Sequence, residues 1–348
     1  MNPYVLAVFL FSLGLGTTIT FASSHWLLAW MGLEINTLAI IPLMAQHHHP
    51  RAVEATTKYF LTQATAAAVI LFASTINAWL IGEWSINQLT HPIATTMAMM
   101  GLALKVGLAP LHFWLPEVLQ GLDLTTGLIL STWQKLAPMA LLMQMAHSVN
   151  PTLMTLLAIS STLVGGWGGL NQTQLRKILA YSSIAHLGWM ILVIQYMPQL
   201  TLLTLGIYII MTSTVFLSFK ALAVTNISML ALAWSKNPTL MLIATLSLLS
   251  LGGLPPLTGF MPKWLILQEL TKQGMPLTAT LAALSALLSL YYYLRLCYVM
   301  TLTMFPNTTT ATTPWRLPST QVTLPLAILA TATLMLLPIT PAILALTL

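Results

Sequence analysis

Cysteine is nearly missing from this chain, and so is acid. Cys297 stands alone among 348 residues, which excludes an intramolecular disulfide and any metal or iron-sulfur site held by cysteines. A redox cofactor of that kind has to sit elsewhere. Asp and Glu together number six, and all charged residues amount to 5 %. So few charges cannot solvate a soluble domain, and no gap between the apolar runs is long enough to hold one.

What is present is apolar. Hydrophobic residues make up 57 % of the chain, in runs of about 20 that recur from end to end, the pattern of a polytopic all-α membrane protein. Eleven transmembrane helices are expected, near 3–22, 24–44, 57–82, 93–120, 123–145, 150–170, 173–196, 200–223, 238–272, 276–300 and 322–346. They form a single membrane domain over 1–348. The first run lacks a basic leader and a small-residue cleavage site, so it reads as a retained helix. With alternating spans, the N-terminal side carries Arg51, Lys58, Arg176, Lys177, Lys236 and Arg316, against Lys272 on the other side. The N-terminus is therefore expected in the positive-inside compartment. The net charge of +6 reports topology and not nucleic-acid binding.

Two of the eleven runs are interrupted in the same way. Gly107-Leu-Ala-Pro-Leu-His-Phe-Trp-Leu-Pro-Glu117 and Gly253-Leu-Pro-Pro-Leu-Thr-Gly-Phe-Met-Pro-Lys263 agree at five of eleven positions. Glycine with two prolines cannot continue a helix, and at membrane depth the freed carbonyls must face protein or a wet cavity. The two runs are five spans apart, an odd number, so the motif crosses the bilayer in opposite directions. The expectation is an inverted repeat of five helices, 1–145 and 150–300, each with one discontinuous helix, and an extra C-terminal helix at 322–348. Discontinuous helices in corresponding positions point to an ion or substrate path near the midplane.

Ionisable residues inside the spans supply the candidate chemistry. Glu34, Lys105, Lys135 and Lys263 each cost roughly 2.5–3.5 kcal/mol at a helix centre unless they face inward and are paired or hydrated. Lysine suits proton handling, because loss of water favours its neutral form and a nearby carboxylate its charged form. Glu34 is the sole carboxylate near the middle of a span, so a Glu34–Lys105 pair is expected, and the sequence supplies no further acid at the depth of Lys135 and Lys263. A set of static ion pairs that fixes packing is the alternative, disfavoured by three lysines to one acid. His112, in the first break, and His186, midway along span seven, could carry protons between lysines as neutral bases or serve as hydrogen-bonded packing residues. Lys220, at the end of span eight, reads as a snorkelling cation. His47-His48-His49 sits in a loop without the spacing of a metal site, and the tryptophans near span ends read as interfacial anchors.

Several strings go further. Met31-Gly-Leu-Glu34, Gly101-Leu-Ala-Leu-Lys105-Val-Gly-Leu-Ala-Pro-Leu-His112-Phe-Trp-Leu-Pro-Glu117, Trp133-Gln-Lys135 and Gln174-Leu-Arg-Lys-Ile-Leu-Ala-Tyr-Ser-Ser-Ile-Ala-His186-Leu-Gly resemble the antiporter-like proton-pumping subunits of respiratory complex I, of the mitochondrial type. The likeness covers essentially the whole chain, its last third mainly through Gly252 to Lys263. It implies a shortened relative of fourteen-helix bacterial subunits, with Glu34 and Lys105 as the coupling pair, Lys135 on a central hydrated axis, and Lys263 linking that axis to the exit. It further implies a multi-pass protein of the mitochondrial inner membrane with its N-terminus in the matrix. The implied partners are other membrane-arm subunits, membrane lipids and protons. FMN, iron-sulfur clusters and ubiquinone would belong to the whole complex, with no cofactor in this chain. Two other classes stay open, a stand-alone cation/proton antiporter and an inert scaffold.

Overall fold

Proline starts the helices of this protein. It occupies the first turn of α1 (Pro3–Ala22), α3 (Pro50–Ile81), α4 (Pro92–Val106), α9 (Pro198–Leu222), α11 (Pro238–Gly252) and α13 (Pro276–Thr301). A first-turn residue has no intrahelical acceptor for its N–H, so proline loses nothing there and its fixed φ suits the helix. Asn2, His25, His49 and Asn237 complete the starts of α1, α2 (Trp26–Met44), α3 and α11 as N-caps, each side chain accepting a first-turn backbone N–H.

The structure is a computed structural model and describes residues 2–46, 49–235, 237–302 and 323–347. Among the described residues the regular elements are helices, joined by isolated bridges at His25–Ser85 and Gln174–Asn226, as the all-α expectation requires. The chain divides into two units, Met1–Ser161 with Ile194–Tyr196, and Thr162–Val193 with Met197–Leu348. The first holds α1 to α4, α5 (Trp114–Gly121), α6 (Leu124–Met145) and the start of α7 (Pro151–Gly168). The second holds the remainder of α7, then α8 (Leu175–Val193), α9, α10 (Ile227–Leu232), α11, α12 (Phe260–Lys272), α13, α14 (Leu324–Met335) and α15 (Thr340–Thr347).

Small residues set the helix spacing. A Cβ on Gly16 of α1 would lie 2.8 Å from Asn36 Oδ1, and one on Gly32 of α2 would lie 2.9 Å from the Gly16 carbonyl. In the second unit a Cβ on Gly165 would stand 2.5 Å from the Ala185 nitrogen, and Gly259 leaves no room against the Ser250 carbonyl. Lipid tails are as apolar as leucine, so helices in a bilayer associate through such close packing and through polar contacts. Trp30 supplies one, its indole N–H donating to the Ala67 carbonyl at 3.1 Å. The outer surface is correspondingly apolar, with Trp79 90 % exposed and Phe11 and Phe72 also exposed.

The span expectations meet the structure unevenly. Five helices, α1, α2, α3, α9 and α13, are long and apolar enough to cross a membrane, and a sixth arises if Leu324–Met335 and Leu337–Ala345 count as one bent span. At 15 residues α4 and α11 reach about 22 Å, short of the roughly 30 Å hydrocarbon core. The last expected span, 322–346, bends by 63°, because Pro338, at the start of its second half, cannot continue the first; residue 322 lies outside the described residues. α3 begins at Pro50 and not at 57, since His49 caps it through Nδ1 at 3.3 Å from the Arg51 nitrogen. α10 is a short helix where a loop is expected. His47, His48, Lys236 and Arg316 lie outside the described residues, and with them part of the charge asymmetry.

Candidate functional site

The two breaks are built alike, each within its own unit. α4 ends at Gly107, with φ +89° and ψ +42°, and α11 ends at Gly253, with φ +83° and ψ +43°. These are left-handed conformations that a side chain disfavours, and they close the terminal carbonyls in a Schellman-type turn. Leu108 N–H reaches the Ala103 carbonyl at 2.9 Å, and Leu254 N–H reaches the Leu249 carbonyl at 3.4 Å. The remaining C-terminal carbonyls are satisfied differently. In the first break the neutral indole of Trp114 donates to the Leu104 carbonyl at 3.0 Å. In the second, Lys263 Nζ reaches back from α12 to the Gly252 carbonyl at 2.8 Å and the Leu251 carbonyl at 3.4 Å. A cation at that place also meets the negative end of the α11 dipole.

Lys105 and Lys135 come together. Lys105 lies in the last turn of α4, 6 % exposed, and Lys135 near the middle of α6, 3 % exposed. Both line one cavity of the first unit, along with Asn36 and Thr37 of α2, Tyr59 and Gln63 of α3, and Gln134 of α6. The space open to water centres is about 20 Å³, above the roughly 10–15 Å³ that one water needs. Lys105 Nζ, Gln63 Nε2 and both amide atoms of Asn36 are buried with no protein hydrogen-bond partner among the described residues. Buried polar atoms left so cost about 1–3 kcal/mol each, and water is the ordinary remedy.

The expected contact between Glu34 and Lys105 is not formed. No ion pair joins them among the described residues, although Glu34 is near enough to act on Lys105 through its charge. The half-buried Glu34 carboxylate instead accepts the Thr37 hydroxyl at 2.8 Å, one turn along its own helix. Thr37 lines the cavity with the lysines; Glu34 itself does not. The local i to i+3 geometry of a helix, which places Glu34 and Thr37 on one face, decides this partner.

The other candidates fall elsewhere. His112 is buried in the first break, its ring 4.4 Å from that of Phe113, and is not among the residues lining the lysine cavity. His186 of α8 lies 5.6 Å, ring to ring, from Tyr208 of α9. Lys263, in the second unit, lines a cavity of about 210 Å³ with Trp189, Phe260 and Trp264. Lys220 is exposed in the last turn of α9, where a cation suits the helix dipole.

Sequence reasoning passes over several polar side chains of the interior. Asn36, Thr37, Gln63 and Gln134 are uncharged, so a search for charges in apolar runs does not find them. Their amide and hydroxyl groups inside the helices α2, α3 and α6 are the signal. Arg295 of α13 is passed over too, and it donates to the Leu170 carbonyl at 2.7 Å. Lys58, between Glu54 and Glu117 at 2.8 Å each, is an exposed link from α3 to α5.

Composition, apolar surface and interrupted helices together define a multi-pass, all-helical membrane protein. A family model described as "NADH:quinone oxidoreductase/Mrp antiporter, TM" matches residues 23–289, and one described as "NADH dehydrogenase subunit 2 C-terminus" matches 290–344. The chain is 74 % identical over 347 residues to NADH-ubiquinone oxidoreductase chain 2 of Carassius auratus, with 100 % of each chain covered. It is similar to a chain of respiratory complex I from Thermus thermophilus with bound aureothin, with TM-score 0.86 and 27 % identity over 99 % of this chain and 80 % of that one. It shares its fold with a chain of the Mrp complex from Dietzia sp. DQ12-45-1b, with TM-score 0.80 and 15 % identity over 96 % of this chain and 75 % of that one. The chain therefore belongs to the NADH:quinone oxidoreductase/Mrp antiporter membrane family, on its NADH-ubiquinone oxidoreductase chain 2 branch.

Proposed function

We propose that the chain is a proton-translocating subunit in the membrane arm of respiratory complex I. One observation carries the chemistry: Lys105 and Lys135, both buried, line a single polar cavity in the first unit. Two ammonium groups in a small shared space disfavour each other's charge, so a proton gained at one favours release at the other. Lys105 and Lys135 are the exchanging pair, Glu34 the charge that biases Lys105, and Lys263 the group serving the exit side. His112 and His186 are assigned the part of neutral carriers. NADH oxidation and quinone reduction belong to partner subunits, which hold FMN, iron-sulfur clusters and ubiquinone. The 74 % identity to an NADH-ubiquinone oxidoreductase chain 2 along the whole length supports assembly with other membrane-arm subunits in the mitochondrial inner membrane, with the N-terminus in the matrix.

Eleven spans in two five-helix repeats, 1–145 and 150–300, belong to the same proposal. Three matched features support it: the Gly107 and Gly253 turns, the 15-residue helices that precede them, and the bridges His25–Ser85 and Gln174–Asn226. In each repeat the bridge ties the connection before the second helix to the connection before the broken one.

Lys135→Ala in the assembled complex is expected to lower coupled NADH:quinone turnover and proton pumping together. Pumping and quinone reduction at the parental level would refute the assignment. The Mrp-like fold keeps a stand-alone cation/proton antiporter as second reading. Ion exchange by the purified single chain in liposomes would support it, as would migration solely as a small species in native electrophoresis.

A further inference from the structure

Among the described residues no ion pair joins Glu34 and Lys105. Thr37, hydrogen-bonded to Glu34, lines the cavity that Glu34 does not line. Its hydroxyl has two acceptors within reach, the Glu34 carboxylate Oε2 at 2.8 Å and the Glu34 backbone carbonyl at 2.9 Å. It carries one hydrogen, so the two bonds are alternatives. We infer that Thr37 is a positioning residue whose hydroxyl turns between these two acceptors with the protonation of Glu34, and so passes the state of Glu34 into the cavity of Lys105 and Lys135.

The hydrogen-bond count gives the direction. When Glu34 is ionised, the Thr37 O–H donates to Oε2 and both hydroxyl lone pairs remain for donors on the cavity side, the Lys105 ammonium or a water bound to it. When Glu34 is protonated, its own O–H donates to Thr37 Oγ1, and the Thr37 hydrogen turns to the Glu34 backbone carbonyl. One lone pair is then taken. The cavity thus loses an acceptor at the moment Glu34 loses its charge, and both changes favour proton release from Lys105. No bond other than hydrogen bonds changes.

A second observation points to the same place. The buried Lys105 Nζ, Asn36 amide and Gln63 Nε2 lack protein partners among the described residues and belong to residues that line the cavity with Thr37, so that cavity offers donors and an acceptor to water. Tyr59 and Lys135 are the other titratable groups lining the cavity. A water there needs two to four polar partners, and Thr37 is a cavity-lining side chain that donates to the Glu34 carboxylate.

The inference rests on the proton-translocating reading, and the test separates the two. Thr37→Val keeps the shape and removes the hydroxyl; Thr37→Ser restores it. In assembled complex, verified by native electrophoresis and by NADH oxidation with an artificial acceptor, Thr37→Val is expected to lower coupled turnover about three- to tenfold, the factor one hydrogen bond of ordinary net strength carries. Thr37→Ser stays near the parent. In a Glu34→Gln background Thr37→Val adds nothing further, because the group it reads is gone. Full activity of Thr37→Val, or an effect that multiplies with Glu34→Gln, overturns the inference while a Lys105→Ala defect leaves the transport reading standing. Full activity of Lys105→Ala as well overturns both. If Thr37→Val does not assemble, Thr37→Ala against Thr37→Ser makes the same comparison.

Discussion

Removing the ammonium of Lys263 while keeping an unbranched side chain one atom shorter, by Lys263→Met, should loosen the second break. Lys263 Nζ holds the Gly252 carbonyl at 2.8 Å and the Leu251 carbonyl at 3.4 Å. The shorter contact is a charge-assisted hydrogen bond, for which about 1.5–3 kcal/mol is typical. The longer one adds little. Because Lys263 is only half-buried, water recovers part of the loss, and about 2 kcal/mol is expected. Gly253 and Leu254 donate to the carbonyls one turn earlier, so their amides report the opening. Hydrogen exchange of peptides covering 249–262 in the assembled complex should accelerate about thirtyfold, at about 1.4 kcal/mol per tenfold. Lys263→Arg keeps the donor and should exchange near the parental rate. Parental protection in Lys263→Met would refute the capping role, since the turn would then hold without its cation.

Trp114→Phe leaves the Leu104 carbonyl without the indole donor and should lower the thermal stability of the assembled complex by about 1–3 kcal/mol, the cost of one unsatisfied buried acceptor; an unchanged melting profile would contradict it. Gly107→Ala and Gly253→Ala each force a side chain into positive φ and should cost about 1–2 kcal/mol, read as reduced assembled complex on native gels. Gly259→Ala should be worse than either, because its Cβ collides with the Ser250 backbone carbonyl. Glu117→Gln, by contrast, removes a salt bridge whose members are 43 % and 54 % exposed, and melting in 0.5 M or so of salt should not distinguish it from the parent, such pairs being screened within a few ångströms.

The broken helices were legible because backbone chemistry is written in single residues. Glycine with two prolines predicts an interruption, and each interruption begins at the end of a 15-residue helix. Lys105 and Lys135 were legible as buried cations, because charge inside an apolar run has few places to go. Their meeting in one cavity is a tertiary fact, decided by how α4 and α6 pack in the first unit. The Glu34–Lys105 contact failed for a local reason: Thr37, three residues on, offers a hydroxyl with no rearrangement, and supply of charges across helices says nothing about such neighbours. The bend at Pro338 was legible in principle, yet an apolar run of ordinary span length hid it. Hydropathy counts residues and does not see a proline that divides them.

The central claim is that Lys105 and Lys135 exchange protons through a wet cavity. An experimental density map of the assembled complex, sharp enough to resolve ordered water, tests it most directly. Water density within hydrogen-bond distance of Lys105 Nζ, the Asn36 amide and Gln63 Nε2, continuing to Lys135, is the predicted result. A dry cavity, with those atoms bonded to protein or lipid instead, would contradict it.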